Sequence, residues 1–273
     1  MTSTAAETLN PAVDPGPAVL RQRDARGVVT LTMNRPDSFN ALSEDMLTAL
    51  QAELDLLARD DSARVLVLAS SGKAFCPGHH LKEMRSQPDL AYYQRLFAQC
   101  SRMMLSLQKL PIPVIARVHG IATAAGCQLV AQCDLAVAST LARFATSGIN
   151  YGLFCATPSV PLLRNMAAKP AMEMLLTGEF ISAEQAQAQG LINRVAAPDQ
   201  LDSALEALVA SIVQKPRVAV AMGKALVYQQ RELGIEAAYQ LAAQAMAVNM
   251  MEPSAQEGFL AFTEKRAPDW KLS

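Results

Sequence analysis

Acidic side chains are almost absent from the middle of this 273-residue chain: between Asp89 and Glu173 only Asp134 occurs. The same stretch holds His119–Asp134 (HGIATAAGCQLVAQCD), where a predicted strand leads through a turn of small residues into a helix. The main-chain N–H groups at such a helix start suit an anion, but proton transfer there normally needs a neighbouring carboxylate. The nearby polar side chain is Gln128, an amide that exchanges no proton at neutral pH. The sequence therefore predicts an anion site without its base.

Other absences narrow the class of protein. Lys plus Arg number 24 and Asp plus Glu number 25, so no global charge attracts nucleic acid or an anionic membrane. No run of about eighteen apolar residues suggests a membrane span. The chain also lacks a P-loop, a dinucleotide-binding fingerprint and a Gly-x-Ser-x-Gly elbow. With 51% hydrophobic and 18% charged residues, a globular protein is expected.

Cysteine occurs in an odd number, at Cys76, Cys100, Cys127, Cys133 and Cys155. This number and the apolar contexts favour reduced thiols and a cytoplasmic location. Cys127 and Cys155 lack a basic neighbour, which favours inert core thiols over nucleophiles. Cys76, His79 and His80 form a Cys-x-x-His-His pattern, but adjacent histidines rarely converge on one ion. No metal site is therefore expected.

Strands and helices alternate in the first half of the chain. Runs of apolar, β-branched residues predict strands at Val28–Met33, Val65–Ser70, Pro113–Val118 and Leu135–Ala138. Segments 43–60 and 90–109, in which apolar residues recur at helical spacing, separate the first three strands. Such alternation of strands and helices predicts parallel strands joined by right-handed helical connections. Further along, Ser182–Gln185 (SAEQ) is a capping box whose helix ends at Gly190.

The chain divides into three regions. Residues 1–19 lack the basic start and apolar centre of a secretory signal, so a flexible tail is expected there. Residues 20–197 contain the predicted strands. Residues 198–273 are helical throughout, with helices predicted near 200–213, 216–230, 233–250 and 254–264. Because this helical layer has no strand to cover, it must pack on the core or on another subunit.

Three motifs in order resemble the successive signatures of the crotonase (enoyl-CoA hydratase/isomerase) superfamily: Asn34–Leu42 (NRPDSFNAL), Lys73–Met84 (KAFCPGHHLKEM) and Gly120–Asp134. The similarity reaches Gly258–Trp270 and so covers nearly the whole chain. The segments ATAAGCQLVA, FAT and GLFC resemble the subgroup of mitochondrial enoyl-CoA hydratase domain-containing proteins. The resemblance implies an α/β fold: a crotonase-like spiral of ββα units over residues 20–197, with a helical C-terminal oligomerisation region. It also implies a homotrimer or a dimer of trimers, and a coenzyme A thioester as ligand without a further cofactor.

The resemblance also assigns the reacting groups. It implies that the main-chain N–H groups of His79 and Ala125 hold the thioester oxygen as it becomes an enolate. The positions of the two glutamates of family hydratases fall on Gln128 and Gly148. Because neither residue can do acid–base work, ordinary hydratase activity is not expected.

The substrate route implied by the resemblance is lined by Lys73, Lys82, Phe39, Asn40, Gly78 and Lys265. The two lysines flanking the first turn would meet the nucleotide phosphates, and Lys265 with Arg266 would reach the ligand from a neighbouring chain. Three alternatives stay open. Gln128 is either an amide that caps the turn or a group that orients ligand or water. His80 is either a base or a surface imidazole. Ser147 and Asn150 either hydrogen-bond the acyl group or serve the loop.

The sequence thus predicts an acyl-CoA enzyme, nominally an enoyl-CoA hydratase (a lyase) of fatty acid metabolism, that stabilises a thioester enolate. Decarboxylation or slow isomerisation fits the missing glutamates better than hydration does. The alternative is a non-catalytic acyl-CoA-binding or regulatory protein that kept the fold and lost the base.

Overall fold

A computed structural model describes residues 16–270 of the chain. The strands are β1 (Val19–Arg23), β2 (Val28–Met33), β3 (Val65–Ser70), β4 (Val114–Val118), β5 (Ile121–Thr123), β6 (Leu135–Ser139), β7 (Arg143–Ala145), β8 (Ile181–Ser182) and β9 (Arg194–Ala196). The helices are α1 (Glu44–Leu57), α2 (Leu81–Ser86), α3 (Leu90–Lys109), α4 (Ala125–Gln132), α5 (Ala156–Asn165), α6 (Ala168–Thr177), α7 (Ala183–Ala188), α8 (Leu201–Val213), α9 (Arg217–Gln230), α10 (Ile235–Met250) and α11 (Pro253–Thr263).

The strands form two sheets. The larger has the order β1-β2-β3-β4-β6-β9, parallel except for β1. The smaller has the order β5-β7-β8, in which β5 and β7 are parallel. The paired strands β4 and β6 of the larger sheet are each followed directly by a strand of the smaller one, β5 and β7. This pairing brings Thr123 level with Ala145, at the ends of β5 and β7 where α4 and a short loop begin.

Local sequence explains the central layer. Every residue of β3 is buried, as expected of a strand covered on both faces. Helix α1 begins after Ser43, whose side chain accepts a hydrogen bond from the Met46 N–H. Its buried stripe is Met46, Leu47, Leu50, Leu54 and Leu57. These apolar side chains join those of α3 and the sheet in one core.

A buried ion pair ties the C-terminal helices to this core. The ammonium of Lys224, on α9, lies 2.7 Å from a carboxylate oxygen of Asp134, at the end of α4. The same carboxylate accepts hydrogen bonds from the Val114 N–H and the Tyr228 hydroxyl, both at 2.7 Å. Burial lowers the pKa of Lys224 despite the carboxylate beside it. Asp134 is therefore a structural residue that joins α9 to the start of β4.

The predicted elements are largely confirmed. Strands β2 and β3 and helix α3 have the predicted bounds, and the chain is helical after the 3-10 turn at Pro198–Gln200. Residues 1–15 of the expected tail lie outside the described residues, and its last residue, Val19, already belongs to β1. Among residues 16–270, the helices are all too short or too polar to cross a membrane.

Candidate functional site

The turn that follows β3 lies directly against β5. The N–H groups of Phe75 and Cys76 both donate to the Ile121 carbonyl, at 2.9 and 3.0 Å, and the Thr123 N–H donates to the Cys76 carbonyl at 3.0 Å. The segment leading to Gly78 and His79 is thus held beside the strand that leads into α4.

Two glycines let the loop after β3 approach the start of α4 more closely than a residue with a side chain would allow. A β-carbon on Gly126, in the first turn of α4, would lie 2.0 Å from the Cys76 carbonyl oxygen. A β-carbon on Gly78 would lie 3.1 Å from the Ala125 nitrogen, and Gly78 has a φ of 103°. Because these glycines bring two stretches of backbone into contact, the amides of His79 and Ala125 belong to one small region.

These two amide groups have no hydrogen-bond partner in the part of the chain that the structure describes. Within residues 16–270, neither the His79 N–H nor the Ala125 N–H donates a hydrogen bond. Ala125 is the first residue of α4, where unpaired N–H groups and the helix dipole favour negative charge. Two main-chain N–H groups without a hydrogen-bond partner among the described residues therefore lie in this region.

The residue before Ala125 has a strained backbone. Ala124 has φ 50° and ψ −122°, a conformation that glycine adopts far more readily than alanine. It is held there because its N–H donates to the Ala145 carbonyl at 3.0 Å, while the Gln128 N–H donates to the Ala124 carbonyl at 3.0 Å. This strained turn sets the direction of the first N–H groups of α4.

Gln128 lies one turn further along α4 and is only 4% exposed. Its side-chain oxygen has no hydrogen-bond partner among the described residues. A buried amide oxygen without a partner costs free energy, so the side chain does not cap the turn through that oxygen. Gln128 therefore keeps a buried hydrogen-bond acceptor that no described residue uses.

Gly148 lies in the short helix Ser147–Tyr151, after β7. The loop folds back on it, since the Leu153 N–H donates to the Gly148 carbonyl at 3.0 Å. A β-carbon at Gly148 would lie 2.7 Å from the Leu153 carbonyl oxygen and 2.8 Å from the sulfur of Cys155. The loop therefore leaves no room for a side chain at this position.

Neutral hydroxyl and thiol groups lie around this loop. The hydroxyl groups of Ser147 and Thr123 are 2.7 Å apart, which ties the loop to the end of β5. Burial raises the pKa of Cys155, and that of Cys127 to about 12, so both thiols stay protonated at neutral pH. These pKa directions fit the inert thiols predicted from the sequence.

The two histidines of the first turn have different partners. The His79 ring meets Phe97 edge to face at 5.4 Å, with its Nδ1 atom 3.3 Å from the Leu42 carbonyl oxygen. Burial lowers the pKa of this imidazole, which keeps it neutral. His80 instead precedes α2, where its Nδ1 atom accepts the Glu83 N–H at 3.3 Å and so caps the helix.

Comparison with known proteins identifies the family. Residues 23–273 match the model of the enoyl-CoA hydratase/isomerase family. The chain belongs to this family.

Relatives and solved structures agree with this assignment. Human enoyl-CoA hydratase domain-containing protein 3, mitochondrial, is 41% identical over 257 residues, covering 94% of this chain and 84% of that protein. A 2,3-dehydroadipyl-CoA hydratase of Escherichia coli is 34% identical, covering 89% of this chain and 95% of that protein. The crystal structure of an enoyl-CoA hydratase of Mycobacterium smegmatis matches with a TM-score of 0.93 and 64% identity, covering 93% of this chain and 99% of that one. These matches confirm the crotonase fold expected from the three motifs.

One expectation is wrong. The cysteines favour a cytoplasmic location, but the names of the Xenopus laevis, rat, mouse and human relatives place those proteins in mitochondria. Reduced thiols are compatible with more than one reducing compartment, so the odd number of cysteines does not select the cytoplasm.

Two of the residues predicted to bind substrate, Asn40 and Phe39, differ in their exposure to solvent. Asn40 is fully buried, and its side chain bonds the Arg35 N–H and the carbonyl oxygens of Ser71 and Ala74 at 2.7–3.2 Å. Its side chain is thus occupied in joining two loops, and its main-chain N–H donates to the Arg35 carbonyl at 2.8 Å. Phe39, with a φ of 54°, is 51% exposed beside it. No local pattern predicts this loop-joining role, because it depends on Ser71 and Ala74, more than thirty residues away along the chain.

The predicted cationic residues lie at the surface. Lys73 and Lys82 are exposed on either side of the first turn, where they are accessible to a phosphate. Lys265, also exposed, follows α11 with a φ of 56°. Arg266 instead pairs with Glu257 and Glu264 of its own chain, at 2.6 Å each. Asn150 lies against Gly178 and is exposed to solvent.

Proposed function

We propose that this family member is an acyl-CoA enzyme that stabilises a thioester enolate through the main-chain N–H groups of His79 and Ala125. The observation that carries the proposal is the pair of unused amides held together by Gly78 and Gly126. A donor of this kind contributes about 10²–10³ in rate in other enzymes. Because both donors are main-chain groups, the side chains at the two positions need not resemble those of other family members.

The reaction is not ordinary hydration. Hydration of an enoyl thioester needs a positioned acid and base, each contributing about 10²–10⁴ in rate. Gln128 is a buried amide and Gly148 has no space for a side chain. The only acidic residue between Asp89 and Glu173 is Asp134, which is occupied by Lys224. The chemistry that remains uses enolate stabilisation without a strong base.

The ligand is a coenzyme A thioester, and no further cofactor is needed for this chemistry. Exposed Lys73 and Lys82 support phosphate binding beside the first turn. The assembly is a homotrimer or a dimer of trimers. Large apolar side chains on the C-terminal helices support assembly, because Tyr239 is 72% exposed, Met246 72% and Phe262 82%.

The test compares two ligands that differ in one oxygen. Calorimetry with butyryl-CoA and with S-butyl-CoA, a thioether without the carbonyl oxygen, should give at least about tenfold tighter binding of the thioester, because two N–H groups then gain a partner. An Ala125→Pro variant removes one N–H at a helix position that tolerates proline. It should lower the preference for the thioester. Equal binding of the two ligands by the parent would contradict the proposal.

A non-catalytic acyl-CoA-binding protein is the second candidate, favoured by the filled space at Gly148. It predicts the same preference for the thioester, with no product formed from any acyl-CoA. Turnover of any acyl-CoA that is lost in an Ala125→Pro variant of normal stability would exclude it.

A further inference from the structure

The imidazole of His79 keeps a buried nitrogen without a hydrogen-bond partner. Its Nδ1 atom lies 3.3 Å from the Leu42 carbonyl oxygen, and a carbonyl oxygen can only accept a hydrogen bond. Nδ1 therefore carries the proton of the neutral ring, and Nε2 carries the lone pair. Among the described residues, no group donates a hydrogen bond to this buried Nε2 atom. Because an unpaired buried acceptor costs free energy, its presence here points to use by a ligand.

The His79 ring is held on two sides. It meets Phe97 of α3 edge to face with the ring centroids 5.4 Å apart, and its Nδ1 atom is anchored at Leu42. The main chain is fixed as well, because Leu42 forms a β-bridge with His79 and the Leu42 N–H donates to the Gly78 carbonyl at 2.8 Å. The Nε2 lone pair therefore has a fixed position, as proton transfer requires.

His79 combines this nitrogen with one of the two main-chain N–H groups of the proposed function. The His79 N–H has no partner among residues 16–270, and a β-carbon on the preceding Gly78 would lie 3.1 Å from the Ala125 nitrogen. In a thioester, the α-carbon is two bonds from the carbonyl oxygen. An oxygen held by the His79 N–H therefore brings the α-carbon within reach of the side chain of the same residue.

Three other polar side chains of the site do not take up a proton at neutral pH. Gln128 is a neutral amide. Burial raises the pKa of Cys127 to about 12 and also raises the pKa of Cys155, so both thiols stay protonated. Burial instead lowers the pKa of His79, which leaves its imidazole neutral and able to accept a proton.

The two other histidines are placed differently. His80 uses its Nδ1 atom to accept the Glu83 N–H at 3.3 Å and so caps α2. His119, before β5, has its Nε2 atom 2.9 Å from the Gly72 carbonyl oxygen, and its buried Nδ1 atom has no partner among the described residues. Of the three histidines, only His79 carries both an unpaired ring nitrogen and one of the two main-chain donors.

We propose that the His79 imidazole is the proton-transfer group of the site and acts through Nε2 on the α-carbon of the bound thioester. This inference rests on the proposed enolate-stabilising function. The bond between the α-carbon and its hydrogen breaks, the proton goes to Nε2, and the electron pair forms the enolate. The enolate oxygen is held by the His79 and Ala125 N–H groups. The imidazolium keeps its Nδ1–H at the Leu42 carbonyl and returns a proton to the α-carbon.

The surroundings of the ring restrict the class of substrate. Because burial lowers the pKa of His79, the imidazole is a weak base. A weak base removes an α-proton readily only where a neighbouring unsaturated group makes that proton more acidic. Arylacetyl thioesters should therefore exchange their α-hydrogens in this site, whereas saturated straight-chain thioesters should bind without exchange.

The experiment follows exchange of α-hydrogen for deuterium in D2O, with phenylacetyl-CoA and the full-length protein. Mass spectrometry should show deuterium in the acyl group at a rate well above that of the protein-free solution, and butyryl-CoA should stay unlabelled. His79→Gln should lower the exchange rate by about 10²-fold or more, the usual contribution of a positioned base. This variant keeps the main-chain N–H, so its preference for butyryl-CoA over S-butyl-CoA should not change.

His80→Asn and His119→Gln are the matched controls. His80→Asn keeps a good helix cap, and His119→Gln keeps a side-chain donor for the Gly72 carbonyl. Both should exchange α-hydrogen at the parent rate. Exchange that persists in His79→Gln, or that is lost in His119→Gln instead, would overturn the inference.

A measurement on the parent protein does not depend on how the variants fold. The chain has three histidines, so the ¹⁵N NMR signals of the imidazoles are few. They should show His79 as the tautomer protonated on Nδ1, and a neutral ring protonated on Nε2 would contradict the inference. If the parent exchanges no α-hydrogen but binds the thioester more tightly than the thioether, only the inference fails. If the parent binds the two ligands equally, the proposed function fails as well.

Discussion

The sulfur of Cys155 lies 2.8 Å from the position that a β-carbon would take on Gly148. The space that a side chain at Gly148 would enter is therefore filled by a neighbouring thiol and by the Leu153 carbonyl. Placing any side chain at this position requires movement of the loop backbone at Leu153.

Gly148→Ala should destabilise the protein by about 1–3 kcal/mol, the usual cost of overpacking a filled site. Gly223→Ala is the control, because Gly223 lies within α9 and a β-carbon there would meet nothing within 4 Å. The control should raise the unfolding free energy by about 0.5–1 kcal/mol. Urea denaturation measures both, and equal effects of the two changes would contradict the packing at Gly148.

Ala124→Gly should stabilise the protein by about 1 kcal/mol. Glycine adopts φ 50° and ψ −122° freely, so the substitution removes a backbone strain of about 1–3 kcal/mol. This gain exceeds the free energy of about 0.4–1 kcal/mol that glycine costs because it makes the unfolded chain more flexible. Ala225→Gly, at an exposed position of α9, should instead lower stability by about 1 kcal/mol. A loss of stability at both positions would show that Ala124 is not strained.

The stability of the protein should depend on pH through His79. Its folded pKa lies below the unfolded value of about 6.5, so below that pH the unfolded chain binds a proton that the folded protein does not. The stability that the neutral His79 ring contributes is fully present above about pH 6.5, and it is lost as the pH falls towards the lowered pKa of His79 in the folded protein. In His79→Phe, the unfolding free energy should therefore fall less steeply between about pH 6.5 and 5 than in the parent. Parallel curves would contradict this.

Lys224→Met should destabilise the protein by about 3–5 kcal/mol, because it leaves the Asp134 carboxylate buried without its cation. The double variant with Asp134→Asn should lose less than the sum of the two single losses, since the two side chains interact directly. Thermal and urea unfolding of all four proteins give the coupling free energy. Simple additivity would show that the pair contributes little.

The sequence predicts the central elements because their signals are local. β3 is a continuous apolar run, and α3 carries an apolar stripe between an Asp89 cap and Lys109. The strands that were missed, such as β5 and β8, have only three and two residues. They form because they pair with a neighbouring strand, and a short window of sequence does not show that pairing.

The predictions for the candidate site also divide into features with a local signal in the sequence and features that depend on distant residues. The turn of small residues predicts that a helix follows, because a run of glycine and alanine is itself a local signal, and α4 begins there at Ala125. The occupied side chain of Asn40 and the filled space at Gly148 depend on residues that are distant along the chain or folded back in a loop. Sequence reasoning therefore names candidate polar groups but does not predict the space around them.

The contact between Gly126 and the Cys76 carbonyl has one more consequence. It makes the separation of the two amide donors a property of backbone against backbone, independent of any rotamer. On the proposed function, substitution of the side chains around this site would change which acyl group is selected and would leave the two main-chain N–H donors in place. Such a chain is a suitable starting point for engineering new reactions on coenzyme A thioesters.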